Sequence, residues 1–187
     1  YDRSSRAKSY CLADSAVSLA RIFLAHQTRR RVVMTKSIPA TSMRKMCAED
    51  LLQIVAIERQ ATPSPWSERQ FQQSLQEHHC VVMTTEEDAR LILGYAIIST
   101  LLEQAEVLNI CIDPQHQGRG LGSLLLANLL KQLPDAAEVI YLEVRVSNFR
   151  AIHLYQNYGF KEVGQRRDYY PAEFGREDAI LMNLVRE

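Results

Sequence analysis

The segment Asp113–Gly122, "DPQHQGRGLG", lies between an apolar strand-like run and a leucine-rich run with helical spacing. Its glycines at 118, 120 and 122 leave bare backbone N–H groups where the predicted helix begins. Together with the positive end of the helix dipole, such amides form an anion site, most naturally for a pyrophosphate. Arg119 adds a positive charge. We interpret the segment as a phosphate-binding loop; a tight turn that serves only helix–strand packing is the structural alternative.

The glycine spacing distinguishes this loop from two common nucleotide-binding motifs. A P-loop ends in Gly-Lys-Ser/Thr, and a dinucleotide-binding loop has the pattern G-x-G-x-x-G directly after its strand. Here the pattern is G-x-G-x-G, and residues 113–117 separate it from the strand. Glu143 follows Gly122 by about 20 residues, where a ribose-binding acid is expected, so dinucleotide binding stays open as an alternative.

The order of apolar runs from Met43 onward predicts the elements β-α-α-β-β-β-α-β-α-β-β. The short linkers "EEDA" and "EQ" indicate that three consecutive strands form an antiparallel meander. The runs 104–113 and 138–146 flank a helix, which predicts parallel neighbours joined by a right-handed crossover. The sequence therefore predicts a mixed α/β sheet.

Capping residues and the spacing of apolar side chains predict the position of individual helices. Ser67 is a predicted N-cap, with Gln70 three residues later as in a capping box, and Asn148 is a second N-cap. The first helix has one stripe at helical spacing, in which a carboxylate accompanies apolar side chains: Leu51, Ile54, Val55 and Glu58.

The formal net charge of zero, from 22 basic and 22 acidic residues, hides an asymmetry along the chain. Residues 1–45 hold ten Lys/Arg and two acidic side chains, so the rest of the chain is net acidic. A net-acidic body favours a cationic partner in a salt-dependent way. No apolar run approaches the roughly 18–20 residues that span a bilayer. The basic run at 29–31 is short and has no interleaved aromatics, so we expect neither a membrane nor a nucleic-acid partner.

Residues 1–42 are rich in Arg and Ser and poor in acids, a profile typical of an organelle transit peptide. We nevertheless favour a non-native or disordered extension; an amphipathic helix docked on the domain and a genuine targeting segment are the alternatives. The predicted organisation is thus an extension over 1–42 and one domain over 43–187. We expect a cytoplasmic protein, or an organellar one if the first segment is a genuine transit peptide.

The four cysteines, Cys11, Cys47, Cys80 and Cys111, form no C-x-x-C pair. This pattern argues against a zinc site and against a disulfide framework. Cys80 and Cys111 lie inside apolar runs, which predicts buried free thiols in a reducing compartment. We expect no bound metal.

Two blocks carry a resemblance to a known family. The loop Gln117-Gly118-Arg119-Gly120-Leu121-Gly122, after a strand ending "ICIDP", resembles the acetyl-CoA pyrophosphate loop (Q/R-x-x-G-x-G/A) of the GNAT N-acetyltransferase superfamily. The downstream block "LEVRVSNFRAIHLYQNYGF" is similar to that family's second signature, and the similarity covers about 43–185. The resemblance implies a GNAT fold: a mixed sheet of about seven strands, splayed between the fourth and the fifth and flanked by about four helices.

The same resemblance implies acetyl-CoA as acetyl donor, with its pantetheine arm in the splay and its pyrophosphate on the loop. Unpaired backbone groups of the fourth strand would bond to the pantetheine amides like an added strand. The implied cofactor-binding residues are Ile110, Cys111, Ile112, Gln117, Gly118, Arg119, Gly120, Leu121, Gly122 and Asn148. Helix capping alone would also explain Asn148.

Acetyl transfer from a thioester to an amine needs a base for the amine and an acid for the leaving thiolate. Glu143 lies near the open end of its strand, and we assign it as general base, acting directly or through water. Tyr155, on the next helix, is assigned as general acid, with oxyanion donors from the backbone of 110–112. The structural alternatives are that Glu143 pairs with Arg145 or Arg150, and that Tyr155 packs in the core.

The acceptor is indicated by the segment "RRDYYPAEFGREDAILMNL", together with "PSPWSERQF". Both are similar to RimI-like ribosomal-protein-alanine N-acetyltransferases. That resemblance implies that Tyr169 and Tyr170 hold the substrate backbone, that Trp66 shapes the entrance, and that the substrate is the N-terminal alanine of a small-subunit ribosomal protein. Acetylation of a small amine is the alternative, and a non-catalytic acyl-CoA-binding module is a third possibility.

Overall fold

The computed structural model describes residues 39–186. The predicted extension over residues 1–42 therefore lies almost entirely outside the described residues. The first strand begins at Thr41, just before the predicted start of the domain at Met43.

The described chain forms one seven-stranded mixed sheet with four α-helices, in the predicted order. The strand order across the sheet is β1-β2-β3-β4-β5-β7-β6. Two short 3₁₀ turns also occur, one before α1 and one after β4. The elements are β1 Thr41–Lys45, α1 Leu51–Ala61, α2 Glu68–Glu77, β2 His79–Thr85, β3 Ile92–Leu101, β4 Gln104–Ile112, α3 Leu121–Gln132, β5 Val139–Arg145, α4 Phe149–Asn157, β6 Lys161–Pro171 and β7 Arg176–Val185.

The predicted splay between the fourth and fifth strands is confirmed. β4 and β5 run parallel and pair from Gln104↔Val139 to Val107↔Leu142, where their pairing ends. β4 continues to Ile112 and β5 continues to position 145, so their C-terminal ends separate into an open wedge. The other neighbouring strands pair antiparallel, including the predicted β2-β3-β4 meander.

A β-bulge in β4 lies where the two strands separate. The register with β3 moves from Ile98↔Val107 to Ile97↔Asn109, which leaves Leu108 as an extra residue. A bulge bends its strand and increases the local twist. The bend directs the last residues of β4 away from β5 and thereby opens the wedge.

Two apolar layers cover the sheet. α3 and α4 pack on one face in a cluster that includes Leu125, Leu129, Leu142 and Tyr155. α1 and α2 pack on the other face, with Ile54 and Phe71 fully buried. Burying a large apolar side chain contributes about 1.5–3 kcal/mol, so these layers supply most of the favourable energy of folding.

The helix-capping predictions are confirmed. Ser67 accepts from the Gln70 amide at 3.4 Å, and the Gln70 side chain accepts from the Ser67 amide at 2.8 Å. The Asn148 side chain accepts from the Ala151 amide at 3.1 Å. Within residues 39–186, no helix combines the length and the apolar character needed to cross a membrane.

Candidate active site

The glycine-rich loop joins β4 to α3 at the mouth of the wedge. Gly118 and Gly120 have φ values of 75° and 81°, in the left-handed region that favours glycine, and Gly120 is the N-cap of α3. Gly122 differs, because an added Cβ would meet Leu154 and Ile112 at 3.6 and 3.8 Å, ordinary contact distances. Two of the three glycines are thus required by backbone conformation. The first amides of α3 have no intrahelical acceptor and are available to an anion.

Side chains fix this loop to its surroundings. Gln117 donates from Nε2 to the Ile112 carbonyl at 3.0 Å, and its Oε1 accepts from Arg150 at 3.4 Å. Arg119 donates from Nη2 to the Gln115 carbonyl at 3.3 Å, while its buried Nε has no partner among the described residues. A buried donor without an acceptor fits an anionic ligand at this loop.

The last residues of β4 form one edge of the wedge. Ile110, Cys111 and Ile112 pair with β3 on one side, and beyond Val107 the pairing with β5 has ended on the other. Gly94 on β3 makes this arrangement possible, because a Cβ there would lie 2.6 Å from the Cys111 carbonyl oxygen. Sequence reasoning missed Gly94, since its role depends on the β3–β4 register.

Glu143 lies on β5 beside the wedge, and its side chain is 18% exposed. Burial alternates along β5, so Glu143 faces the α1 side of the sheet, opposite the buried Leu142. Its partner is Arg166 of β6, at 3.0 Å. Neither arginine of the structural alternative pairs with it: Arg145 donates to Glu177 at 3.1 Å, and Arg150 contacts Gln117.

The two consecutive tyrosines of β6 lie together near Glu143. The ring centroids of Tyr169 and Tyr170 are 4.9 Å apart, with ring planes at 81°. Hydrogen bonding to Glu143 is the first cause that raises the pKa of Tyr169, followed by burial. Burial, and then the charge of Glu143, raises the pKa of Tyr170 to about 12. Arg145 lies over the Tyr170 ring, 4.4 Å from its centroid.

Tyr155 is only 6% exposed and packs against Phe160, with ring centroids 5.8 Å apart. Burial is the main cause that raises its pKa, and the nearby Tyr170 and Cys111 raise it further. These two neighbours belong to β6 and to the end of β4. No described residue forms a hydrogen bond with its hydroxyl, whereas the Tyr158 hydroxyl donates to the Ser123 carbonyl at 2.8 Å.

The α1–α2 loop and the β6–β7 hairpin meet next to the wedge. The Ser64 hydroxyl donates to the Pro171 carbonyl at 3.5 Å, and Arg145 donates to the same carbonyl at 2.9 Å. The Trp66 ring is partly buried, 5.5 Å from the ring of Phe71. The three predicted substrate-binding residues thus belong to two segments that touch.

The buried carboxylate of Glu58 fixes the α1–α2 loop in place. Sequence reasoning assigned no role to this carboxylate. Glu58 of α1 is 4% exposed and accepts from the Trp66 amide at 3.1 Å. It also accepts from Asn109 at 3.2 Å and from the Tyr95 hydroxyl. Its position on the apolar stripe of the first helix was the available signal, because a buried carboxylate needs partners.

A cavity of about 290 Å³ adjoins Glu143, beside the part of the sheet where β4 and β5 are paired. It is lined by both polar and apolar side chains, among them Ser99, Gln104, Glu106, Tyr141 and Arg166. The cavity adds a second carboxylate, Glu106, to the surroundings of Glu143.

Comparisons with known proteins agree with this geometry. The acetyltransferase (GNAT) family model matches residues 51–160. The [ribosomal protein bS18]-alanine N-acetyltransferase of Salmonella typhimurium is 42% identical over 129 residues, which are 68% of this chain and 86% of the relative. The enzyme of that name from Escherichia coli K12 is 40% identical over 136 residues, 72% of this chain and 90% of the relative.

Solved structures give a consistent result. The crystal structure of the ribosomal-protein-S18-alanine N-acetyltransferase from Escherichia coli matches with a TM-score of 0.72 and 36% identity, over 78% of this chain and 93% of that one. Arabidopsis thaliana NAA60 in complex with acetyl-CoA matches with a TM-score of 0.69 and 17% identity, over 78% of this chain and 98% of that one, a likeness of fold alone. By family model, sequence identity and fold, this chain belongs to the GNAT acetyltransferases and, within them, to the RimI-like ribosomal-protein-alanine N-acetyltransferases.

Proposed function

We propose that this chain transfers the acetyl group of acetyl-CoA to the N-terminal α-amine of a protein, and that its substrate is a small-subunit ribosomal protein that begins with alanine. The observation that carries the proposal is the open wedge between β4 and β5, with the glycine loop at its mouth and Glu143 beside it. The names of the relatives support the choice of acceptor.

The loop and the β4 edge are the parts of this chain that would hold acetyl-CoA. The free amides at the start of α3 suit a pyrophosphate, with Gln117, Gly118, Arg119, Gly120, Leu121 and Gly122 around it. The backbone of Ile110, Cys111 and Ile112 would bond to the pantetheine amides, and Asn148 would contact the cofactor from α4. When bound, acetyl-CoA supplies an activated acetyl carbonyl, and amides of the same β4 backbone would stabilise negative charge on its oxygen.

Glu143 is the proposed general base. An α-amine has an ordinary pKa of about 8, so much of it is protonated at neutral pH and cannot attack. Glu143 takes one proton from the ammonium group, directly or through water, and passes it to solvent, which leaves a neutral amine. The amine nitrogen then bonds to the acetyl carbon and loses its second proton to the same carboxylate. Arg166, at 3.0 Å, orients the carboxylate from the neighbouring hairpin.

Tyr155 is the proposed general acid. It gives its proton to sulfur as the carbon–sulfur bond breaks, which leaves the N-acetylated protein and a neutral thiol. A buried phenol with a raised pKa stays protonated at neutral pH, as this step requires. Tyr155 packs in the α3–α4 layer and Glu143 faces the opposite side, so in this proposal the two groups would approach one reacting centre from the two sides of the open wedge.

The amine would enter between the α1–α2 loop and the β6–β7 hairpin. Tyr169 and Tyr170 present phenol groups that can bond to a peptide backbone, and Trp66 lies in the loop opposite them. The contact between Ser64 and Pro171 closes one side of this entrance. The net-acidic charge of the domain suits the basic N-terminal segment of a ribosomal protein.

The decisive experiment is acetyl transfer to a panel of peptides that differ in their first two residues, read by mass spectrometry. We expect acetylation at the α-amine of peptides that begin with alanine. The matched control is the same peptide with a blocked N-terminus and an internal lysine, which should stay unmodified. Turnover of polyamines or aminoglycosides with no peptide product would overthrow the proposal in favour of a small-amine acetyltransferase.

A further inference from the structure

The pairing of β6 with β7 is interrupted next to the tyrosine pair. The register moves from Arg166↔Ala179 to Tyr170↔Glu177, so residues 167–169 stand opposite a single residue, Asp178. Within this bulge Asp168 has a φ of 51°, a conformation that is uncommon outside glycine. The irregularity is therefore a β-bulge with a left-handed residue at its centre.

The bulge changes where the two tyrosines point. In a regular strand, consecutive side chains face opposite sides of the sheet. Tyr169 and Tyr170 are consecutive, yet their ring centroids are only 4.9 Å apart. Arg166 lies over the ring of Tyr169, 5.2 Å from its centroid, and Arg145 lies over that of Tyr170. The bulge is what brings both rings to the side of the sheet that carries Glu143.

Two side chains of β7 bond to the backbone groups that the bulge removes from strand pairing. Arg176 donates from Nε to the Asp168 carbonyl and from Nη2 to the Tyr169 carbonyl, the latter at 2.6 Å. Asp178 accepts from the Asp168 amide at 2.9 Å. The guanidinium group suits this role because its planar fork can donate to two carbonyls at once.

We propose that Arg176 and Asp178 are positioning residues, which hold the β6 bulge and thereby place Tyr169 and Tyr170 against the substrate. Neither side chain needs to touch the reacting atoms. The inference deepens the proposed function and rests on it for the identity of the substrate. The influence of Glu143 on the pKa of Tyr169 supports the closeness of the two groups in this arrangement.

The kinetic test compares the full chain with Arg176→Ala and Arg176→Lys. We expect Arg176→Ala to raise the KM for an alanine-starting peptide about tenfold, because contacts that bind the peptide equally in the ground state and the transition state are lost. The acetyl-CoA Kd should change less than about twofold. Arg176→Lys keeps a donor for one carbonyl and should give an intermediate KM. Asp178→Asn keeps an acceptor oxygen and should have a smaller effect than Asp178→Ala.

The matched control is Arg186→Ala, at the residue that follows the other end of β7. Arg186 also donates to two backbone carbonyls, those of Pro134 at 2.9 Å and Ala137 at 3.3 Å. This variant removes the same kind of interaction far from the tyrosines, so the peptide KM should stay unchanged. An equal rise in the peptide KM in Arg176→Ala and Arg186→Ala would reflect general destabilisation and would overturn the proposal.

A second measurement does not depend on turnover. The phenol of Tyr169 can be titrated by NMR in tyrosine-labelled protein, with Tyr169→Phe for assignment. In Arg176→Ala its pKa should fall toward the ordinary value of 10.0, because the ring leaves Glu143, whereas Arg186→Ala should not move it. Failure to acetylate any peptide would reject the proposed function only. A Tyr169 titration unchanged by Arg176→Ala would reject the positioning role, whatever the activity.

Discussion

Arg166 of β6 reaches Glu143 of β5 at 3.0 Å, although β7 lies between these strands in the sheet. The arginine side chain is 52% exposed, and an ion pair this accessible contributes little to stability. The contact crosses the open face of the sheet where the amine would approach. We infer that the pair orients the carboxylate, and that its loss affects activity more than folding.

Glu143→Gln should lower kcat by about 10²–10⁴-fold, the usual contribution of a general base. The loss should be largest at low pH, where most of the α-amine is protonated, and the acetyl-CoA Kd should stay nearly constant. The measurement is kcat between pH 6 and 9 with an alanine-starting peptide. Glu106→Gln is the control, because Glu106 lines the same cavity on the neighbouring strand. Full turnover in Glu143→Gln would show that this carboxylate is structural.

Tyr155→Phe should slow thiol release by about 10²-fold or more while the protein keeps its stability. No described residue bonds to the Tyr155 hydroxyl, so its removal leaves no partner unsatisfied. Tyr158→Phe is the matched control with the opposite outcome. It loses two bonds at 2.8 Å, to the carbonyl and to the hydroxyl of Ser123, at about 0.5–1.5 kcal/mol each, but keeps turnover. Steady-state assays and urea unfolding of both variants separate the two roles. A fully active Tyr155→Phe enzyme would remove the assigned acid.

Gly120→Val should abolish acetyl-CoA binding, because its side chain would occupy the space proposed for the pyrophosphate. The substitution also adds backbone strain of roughly 1–2 kcal/mol, since φ is 81°. Gly175→Val controls for that strain, because Gly175 has a φ of 84° and a Cβ added there would meet no atom within 4 Å. Calorimetric titration with acetyl-CoA should show lost affinity for the first variant alone. Equal affinities would contradict the loop assignment.

Much of the fold was predictable because its signals are local. The caps at Ser67 and Asn148, the apolar runs and the glycine loop each specify structure within a few residues, and the flanking helix sets the parallel β4–β5 pair. The site, in contrast, depends on contacts between strands, which no local sequence pattern predicts. The segment "RRDYY" is an ordinary strand by pattern, and its bulge becomes visible only in the register with β7.

The ion-pair partner of Glu143 also depends on contacts between residues far apart in the sequence. Arg145 and Arg150 are near Glu143 in sequence, and this proximity made them the partners in the structural alternative for Glu143. Arg145 shares a face of β5 with Glu143 but lies two residues further along, opposite Ala179, where it meets Glu177. Arg150, on α4, contacts Gln117 instead. The actual partner, Arg166, comes from a strand two positions away in the sheet. Glu58 was detectable as a carboxylate on an apolar stripe, but its donors on β3 and β4 were not.

Gly94→Ala should disturb the proposed acetyl-CoA site, because Gly94 lies on β3 opposite Ile112 at the end of β4. The new Cβ would lie 2.5 Å from Ile112 Cδ1 and 2.6 Å from the Cys111 carbonyl oxygen, so the β4 backbone must move. Overpacking of this kind costs about 1–3 kcal/mol. We expect a lower unfolding midpoint together with weaker acetyl-CoA binding. The control is Gly164→Ala, whose Cβ would meet no atom within 4 Å; it should change neither the unfolding midpoint nor acetyl-CoA binding. Normal acetyl-CoA binding in Gly94→Ala would show that the β4 edge of the wedge tolerates displacement.

The buried thiol of Cys80 should make stability fall at alkaline pH. Burial raises its pKa from the ordinary 9.0 to about 11, and its Sγ donates to the Ser74 carbonyl at 3.3 Å. Between these values the unfolded chain has released the proton and the folded chain has kept it. The folded state therefore binds more protons, and the free energy of unfolding decreases as pH rises through this window.

Urea unfolding at pH 8 and at pH 10.5 tests this effect in the wild type and in Cys80→Ala. The alanine variant has lost a packed side chain and should be less stable at pH 8. Its stability should decrease less on going to pH 10.5, because it has no thiol to ionise, while the other titrating groups are common to both proteins. The difference in unfolding free energy between the two should therefore shrink as pH rises. Parallel decreases in both proteins would show that the Cys80 thiol ionises equally well in the folded state.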